Sequence, residues 1–240
     1  MERYSRNILI EEIGIDGQKR INSASVLVVG AGGLGSPVLL YLAAAGIGTL
    51  GIVDYDRVDI TNLQRQIIHN SNNVNILKTE SAKAAINVLN HEVRVNIVTE
   101  KFSVTNAQQI VRDYDFVIDC CDSYTCKYLI NDICVKEKIP YSHGAVTQLR
   151  GEIMTYTPGN ACYRCLFDTP PVSNTKKMEP EGILGSIAGV IGSLQATEAL
   201  KYITGAGTLL TNRLLVFDGK NMLFHQLKIA KNKLCNCSKL

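Results

Sequence analysis

Three features of this 240-residue sequence predict an α/β fold in which a parallel sheet is extended by antiparallel strands in the C-terminal half. The stretch VLVVGAGGLGSP, Val26 to Pro37, is an apolar strand that runs into four glycines and then into a helical pattern. Strands and helices alternate from there to Lys138, an order that right-handed crossovers wind into a parallel sheet. Near the end, RLLVFDGKNMLFHQLKI reads as a hairpin turning at Asp218 and Gly219, and hairpins pair antiparallel. The order is Rossmann-like, and residues 1–240 are expected to form one domain.

In chain order, an N-terminal helical segment occupies residues 1–25, followed by a buried strand over Val26 to Val29. A helix over Leu34 to Ala45 is ended by Gly46, and Leu50 to Val53 is a second strand closed by Asp54. Helical spacing from Asn75 to Leu89 puts Ile76, Ala82, Ala85, Ile86 and Leu89 on one side. A third strand follows over Val93 to Val98, then a helix over Val104 to Val111 and a fourth strand beginning at Phe116 in FVIDCCD. Tyr124 to Lys138 reads as a helix, and Ile139 to Val146 and Glu152 to Thr157 as strands. These complete a nucleotide-binding core over residues 26–157. Residues 158–183 hold a cysteine pair and the Pro-rich loop Asp168 to Gly182; a loop that long in a compact domain is functional or disordered. Residues 184–240 supply a helix, the hairpin and a cysteine-bearing tail.

Composition narrows the function. With 46% apolar and 20% charged residues the chain can bury a sizeable core and is not a disordered sequence. Net charge of +3 without a basic cluster gives no footprint for nucleic acid. MERYSRNILIEE resembles neither a secretory signal nor a transit peptide. The most apolar helix, Gly182 to Ile203, carries Gln195, Glu198 and Lys201, which argues for burial in protein and against a membrane span. Eight cysteines without an export signal point to a reducing compartment, so the expected location is the cytoplasm, or an organelle stroma for an organelle-encoded chain.

Gly30, Gly32, Gly33 and Gly35 permit a tight turn and leave backbone N–H groups at a helix N-terminus, a cradle for phosphate. Asp54, nineteen residues after Gly35, stands where a carboxylate accepts from ribose hydroxyls. NAD and ATP both fit such a turn. Hydride transfer needs an acid/base group by the substrate, and His69, His91, His143 and His225 form no set with Lys or Tyr, so the redox reading loses weight. Asn62, Gln64 and Arg65 follow the ribose-type carboxylate closely and Lys78 comes soon after; such a concentration of cations and amides suits a polyanion larger than one pyrophosphate. Asp122 lies just past the fourth strand, where a carboxylate can hold Mg2+ against phosphates.

The cysteines fall into two groups. Cys162 and Cys165 form CxxC, and Cys235 and Cys237 form CxC; two pairs can make a tetrahedral Zn2+ site that pins the tail to the body, with a redox role for the first pair as the alternative. Cys120, Cys121, Cys126 and Cys134 fall in or beside predicted strand and helix and read as small core hydrophobes.

Taken together, GAGGLG, DYD, NLQRQ, the lysine of ILKTESAK, DCCDS, CYRC and GVIGSLQATEALK resemble, in order and over nearly the whole chain, the ThiF/MoeB adenylyltransferases, kin of the ubiquitin-activating enzymes. The resemblance implies that the C-terminal glycine carboxylate of a small β-grasp sulfur-carrier protein ending in Gly-Gly attacks the α-phosphorus of ATP, giving an acyl-adenylate and pyrophosphate. It also implies that Gly33 contacts the phosphates, that Asp54 holds the ribose, that Asn62, Arg65 and Lys78 neutralise phosphate charge and that Asp122 binds Mg2+. An arginine matching Arg6 is supplied by the partner subunit in this family, which implies a homodimer. No general base is required, because a C-terminal carboxylate is ionised at pH 7.

Against the family pattern, the second cysteine pair is CxC where CxxC is usual, and no cysteine lies between Cys165 and Cys235, with Met178 near where a covalent sulfur-handling cysteine stands in some relatives. This favours plain adenylation of the molybdopterin carrier over the thiamine carrier. The loop Asp168 to Gly182, with Lys176 and Lys177, resembles the crossover segment over the carrier's tail, with Gly144 and Ala145 as small lining residues. The chain ends soon after Cys237, so no sulfurtransferase domain is expected to follow.

Overall fold

The computed structural model describes residues 2–169 and 182–238. Its centre is one eight-stranded sheet of order β3-β2-β1-β4-β5-β6-β7-β8, formed by β1 (Ser25–Val29), β2 (Thr49–Val53), β3 (Arg94–Val98), β4 (Phe116–Asp119), β5 (Tyr141–Thr147), β6 (Arg150–Tyr156), β7 (Arg213–Asp218) and β8 (Leu223–Lys228). Strands β1 to β5 run parallel, and β6, β7 and β8 are added antiparallel, so the mixed sheet expected from the sequence is present. In β1, Val26, Leu27 and Val28 are wholly buried, as a central parallel strand covered on both faces requires.

Helices cover both faces. On one lie α2 (Gly14–Ser23), α3 (Gly35–Ala45), α4 (Lys78–Leu89) and α8 (Gly185–Thr204), packed on Val26, Val28, Leu50, Ile52 and Phe116. On the other, α5 (Ala107–Val111), α6 (Tyr124–Glu137), α7 (Tyr163–Leu166) and the cysteine tail bury Leu27, Val29, Val117 and Tyr141. The short α1 (Ser5–Ile8) precedes α2. Tyr4, just before α1, lies where a Cβ on Gly46 would fall, which fastens the N-terminal segment to the C-terminal end of α3.

Two of the elements that begin later than their sequence pattern have a clear local cause. The helix expected from Asn75 starts at Lys78 because Asn75 is in the left-handed region (φ 70°) and Leu77 is extended, bridging antiparallel to Arg57. The helix expected from Val104 starts at Ala107, since the Asn106 side chain bonds back to Ser103 N–H and holds that stretch in a turn. Gln195 and Glu198 of α8 are buried and satisfied: Gln195 donates to the carbonyls of Asp119 (2.8 Å) and Ser142 (3.3 Å), and Glu198 accepts from Thr155, Lys201 and the Leu210 N–H. Among the described residues no helix is long and apolar enough to cross a membrane. Most of the loop Asp168 to Gly182, including Lys176, Lys177 and Met178, lies outside the described residues.

Candidate active site

A cleft of about 1110 Å3 opens at the carboxyl ends of β1, β2 and β4, the switch point where strand order reverses, and runs on beside β5 and β6. Gly33, Asp54, Arg65, Lys78 and Asp122 all line it.

The glycine turn joins β1 to α3. Gly30 has φ 104°, and a Cβ there would fall 2.7 Å from the Cys120 carbonyl; a Cβ on Gly35 would collide with the Gly30 carbonyl. Those two glycines let the turn fold back on the sheet. The turn is also held from outside. Asp54 Oδ2 accepts the Ala31 N–H at 2.8 Å, and Ser36 closes on the Gly32 carbonyl through its N–H (2.9 Å) and its hydroxyl (2.7 Å). Among the described residues the N–H groups of Gly32 and Gly33 have no protein acceptor, and both residues line the cleft. Two bare amides at the start of an eleven-residue helix suit an anion. Asp54 uses two of its roughly four acceptor positions on Ala31 and Asp56 N–H, which leaves room for ribose hydroxyls. Burial pushes its carboxyl above the ordinary aspartate range, outweighing those two hydrogen bonds and the nearby Lys78 charge.

The cations have distinct settings. Arg65 lays its aliphatic stem 3.5 Å from where a Gly33 Cβ would stand and spends Nη1 on the Thr61 carbonyl (3.3 Å). Lys78, at the start of α4, is buried and its Nζ lies 3.0 Å from Asp56 Oδ2. Asp56 was not singled out in the sequence, though it is the second acid of DYD. Asn62 sits in a one-turn helix before Arg65, bonds the Thr61 hydroxyl at 3.4 Å, and is not among the cleft-lining residues. Arg6 is exposed on α1, at the end of α3 remote from the glycine turn; α3 is roughly 16 Å long, so within one chain Arg6 stays apart from the cleft.

Asp122 is exposed in the cleft, and its carboxylate makes no hydrogen bond or ion pair among the described residues, which fits a divalent-cation ligand. Its turn is anchored by a buried network the sequence reading missed. Asp119, at the end of β4, accepts from Lys127 Nζ (3.2 and 3.3 Å), from His143 Nδ1 (2.9 Å), and from the backbone N–H (3.1 Å) and thiol of Cys121. Burial pushes the Asp119 carboxyl up, but Lys127 and His143 outweigh it and hold it at about 2. Lys127 also donates to the Gly144 carbonyl at 2.7 Å. An aspartate closing an apolar strand, with a lysine eight residues on, was the available signal.

Of the four cysteines read as core residues, Cys120 and Cys134 are buried, whereas Cys121 and Cys126 are partly exposed on the cleft wall beside Asp122. Ala145 lines the cleft, but Gly144 does not: a Cβ there would meet the Gln195 carboxamide at 2.5 Å, so its smallness serves packing. No histidine lines the cleft among the described residues.

Away from the cleft, Cys162, Cys165, Cys235 and Cys237 place their sulfurs within 4.8 Å of one another, with Cys162 to Cys235 at 3.5 Å and Cys165 to Cys237 at 3.4 Å. A tetrahedral site of four thiolates with bonds near 2.3 Å needs sulfurs about 3.8 Å apart. The CxC pair reaches the cluster through a short helical turn, Asn236–Ser238, and the Asn232 N–H donates to Cys165 Sγ (3.4 Å), as thiolate ligands require. The donor set fits Zn2+.

Comparison with known proteins agrees with this geometry. The chain is 46% identical over 235 residues to the adenylyltransferase and sulfurtransferase MOCS3 of Aedes aegypti, covering 96% of this chain and 53% of the relative. It is 44% identical over 240 residues to MOCS3 of Dictyostelium discoideum, covering 98% and 56%. The chain thus spans about half the length of these curated relatives. The crystal structure of E. coli MccB with ATP superposes with a TM-score of 0.88 at 23% identity, covering 99% of this chain and 74% of MccB, which shows a shared fold. Residues 4–239 match the model of the ThiF family, and with relatives this similar over nearly its full length the chain belongs to that family.

Proposed function

We propose that this chain is an ATP-dependent adenylyltransferase that activates the C-terminal glycine carboxylate of a small β-grasp sulfur-carrier protein and releases pyrophosphate. The observation that carries the reading is the convergence, in one cleft, of the bare Gly32 and Gly33 amides with the unpaired Asp122 carboxylate and the Arg65 and Lys78 cations. The adenylyltransferase names of the relatives and the ATP in MccB support it.

In this reading the carrier's carboxylate, ionised at pH 7, attacks the α-phosphorus; the α-phosphorus to bridging-oxygen bond breaks and pyrophosphate leaves with the electron pair. Asp54 holds the ribose and Gly33 N–H meets phosphate oxygen. Lys78 turns from Asp56 toward the nucleotide, and with Arg65 it offsets the charge that builds up at phosphorus. Mg2+ held by Asp122 supplies further charge neutralisation. Removing one such preorganised group costs about 2.7–4 kcal/mol of transition-state stabilisation, a 100- to 1,000-fold loss. Asn62 and, from a second copy of the chain, Arg6 add to the phosphate shell in this reading. Zn2+ at the four cysteines is structural.

Among carriers, that of molybdopterin synthesis is favoured, because no cysteine between Cys165 and Cys235 is present to take up the activated carboxyl covalently. Exchange of labelled pyrophosphate into ATP tests the reading. Exchange dependent on a Gly-Gly carrier of the molybdopterin type supports it, exchange with only the thiamine carrier moves the substrate to that pathway, and no exchange with any carrier overturns it.

A further inference from the structure

His69 has no role assignable from the sequence, being one of four histidines without a partner set. It is 6% exposed and lies between two parts of the candidate site. Its Nε2 is 2.9 Å from the Ala31 carbonyl in the glycine turn, and its Nδ1 is 2.8 Å from the Ser81 hydroxyl in the first turns of α4, the helix that begins with Lys78.

A carbonyl only accepts, so Nε2 carries the proton and Nδ1 accepts from Ser81. Burial pulls the imidazole below its ordinary range, which keeps it in this neutral form near pH 7. The consequence lies in the next peptide unit. A trans peptide points its C=O and the following N–H in opposite directions. With the Ala31 carbonyl held by His69, the Gly32 N–H is turned away from the protein, and Gly32 lines the cleft. Ser36 does the same for the next unit by holding the Gly32 carbonyl, which turns the Gly33 N–H outward. Glycine gives this segment no intrinsic preference for one peptide orientation. Without the histidine, the Ala31–Gly32 peptide is free to rotate and present its carbonyl, an acceptor, to an anion.

We propose that His69 is a positioning residue that locks the Ala31–Gly32 peptide with its N–H toward the nucleotide phosphates, and through Ser81 keeps that peptide in register with the helix bearing Lys78. The proposal rests on the reading that the glycine turn binds the phosphates of ATP. His69 does not line the cleft and acts through the peptide it holds.

Titration of the full chain with MgATP and with adenosine tests this, using His69→Ala, His69→Gln and His69→Asn. Glutamine keeps an N–H donor near the ε position, and asparagine places it near δ. His69→Ala is expected to lose tenfold or more in MgATP affinity while adenosine, which has no phosphate, binds within twofold of the parent. His69→Gln is expected to recover most of that loss and His69→Asn little. If His69→Ala does not fold, the contrast between the Gln and Asn variants decides. Unchanged MgATP affinity in His69→Ala, equal losses for MgATP and adenosine, or equal behaviour of the Gln and Asn variants would overturn the lock while leaving the adenylation reading standing. Failure of the parent chain to bind MgATP would overturn both.

Discussion

Asp54 and Ala31 are joined by a 2.8 Å hydrogen bond from the Ala31 N–H to Oδ2, so the carboxylate proposed to hold the ribose is also a strut of the glycine turn. Asp54→Ala therefore removes two things at once. The buried Ala31 amide loses its acceptor, at a cost of about 1–3 kcal/mol in stability, and ATP affinity falls. The raised carboxyl adds a pH signature: acidification protonates Asp54 above the usual aspartate midpoint of about 3.9, so ATP affinity drops as pH falls through that raised value. Binding isotherms across pH 4–7 check this, and Asp54→Asn should abolish the step.

Asp122→Ala is expected to leave folding and thermal stability close to the parent's, because its carboxylate supports no internal contact among the described residues. Pyrophosphate exchange should fall by about 100-fold or more. Parallel melting curves and exchange rates separate the two effects.

The Asp119–Lys127 pair predicts the opposite pattern. Asp119→Asn leaves Lys127 charged and buried without a counter-ion, which costs about 3–5 kcal/mol. For a chain of this size that lowers Tm by roughly 6–20 °C. In the parent, the folded carboxyl at about 2 lies below its unfolded value near 3.9, so the pair's contribution is whole above pH 4 and is lost as pH falls from about 4 to 2. Urea unfolding at stepped pH should show that loss in the parent and not in Asp119→Asn.

One equivalent of Zn2+ per chain is expected from metal analysis. Chelation, or Cys162→Ser, should release the C-terminal segment to limited proteolysis and lower Tm, with pyrophosphate exchange at low temperature retained because the cluster lies outside the cleft.

The parallel core, the antiparallel extension and the glycine turn were legible because each has a local signature: an apolar run, a periodic helix face, a glycine spacing. Lys78 and Asp122 were singled out from their places just past strand ends or at a helix start, and both line the cleft. The start of α4 was missed because Ile76 keeps the helical spacing while Asn75, one residue earlier, takes positive φ. His69, Asp119 and Lys127 were not legible as a group. Apart from Cys121, two residues from Asp119, their partners lie between 8 and 38 residues away, and a single polar residue in the sequence does not say what it bonds at that distance. Gly144 was read as lining a channel, when the residue it accommodates, Gln195, stands on a helix fifty-one positions further along the sequence.

The most direct test of the adenylation account is intact-mass measurement of a Gly-Gly sulfur carrier incubated with this chain and MgATP in the absence of a sulfur donor. The account predicts a carrier heavier by one adenylyl group at its C-terminus, formed with release of pyrophosphate and lost when the terminal glycine is removed. Unmodified molybdopterin-type and thiamine-type carriers, recovered alongside folded chain and intact ATP, would contradict it.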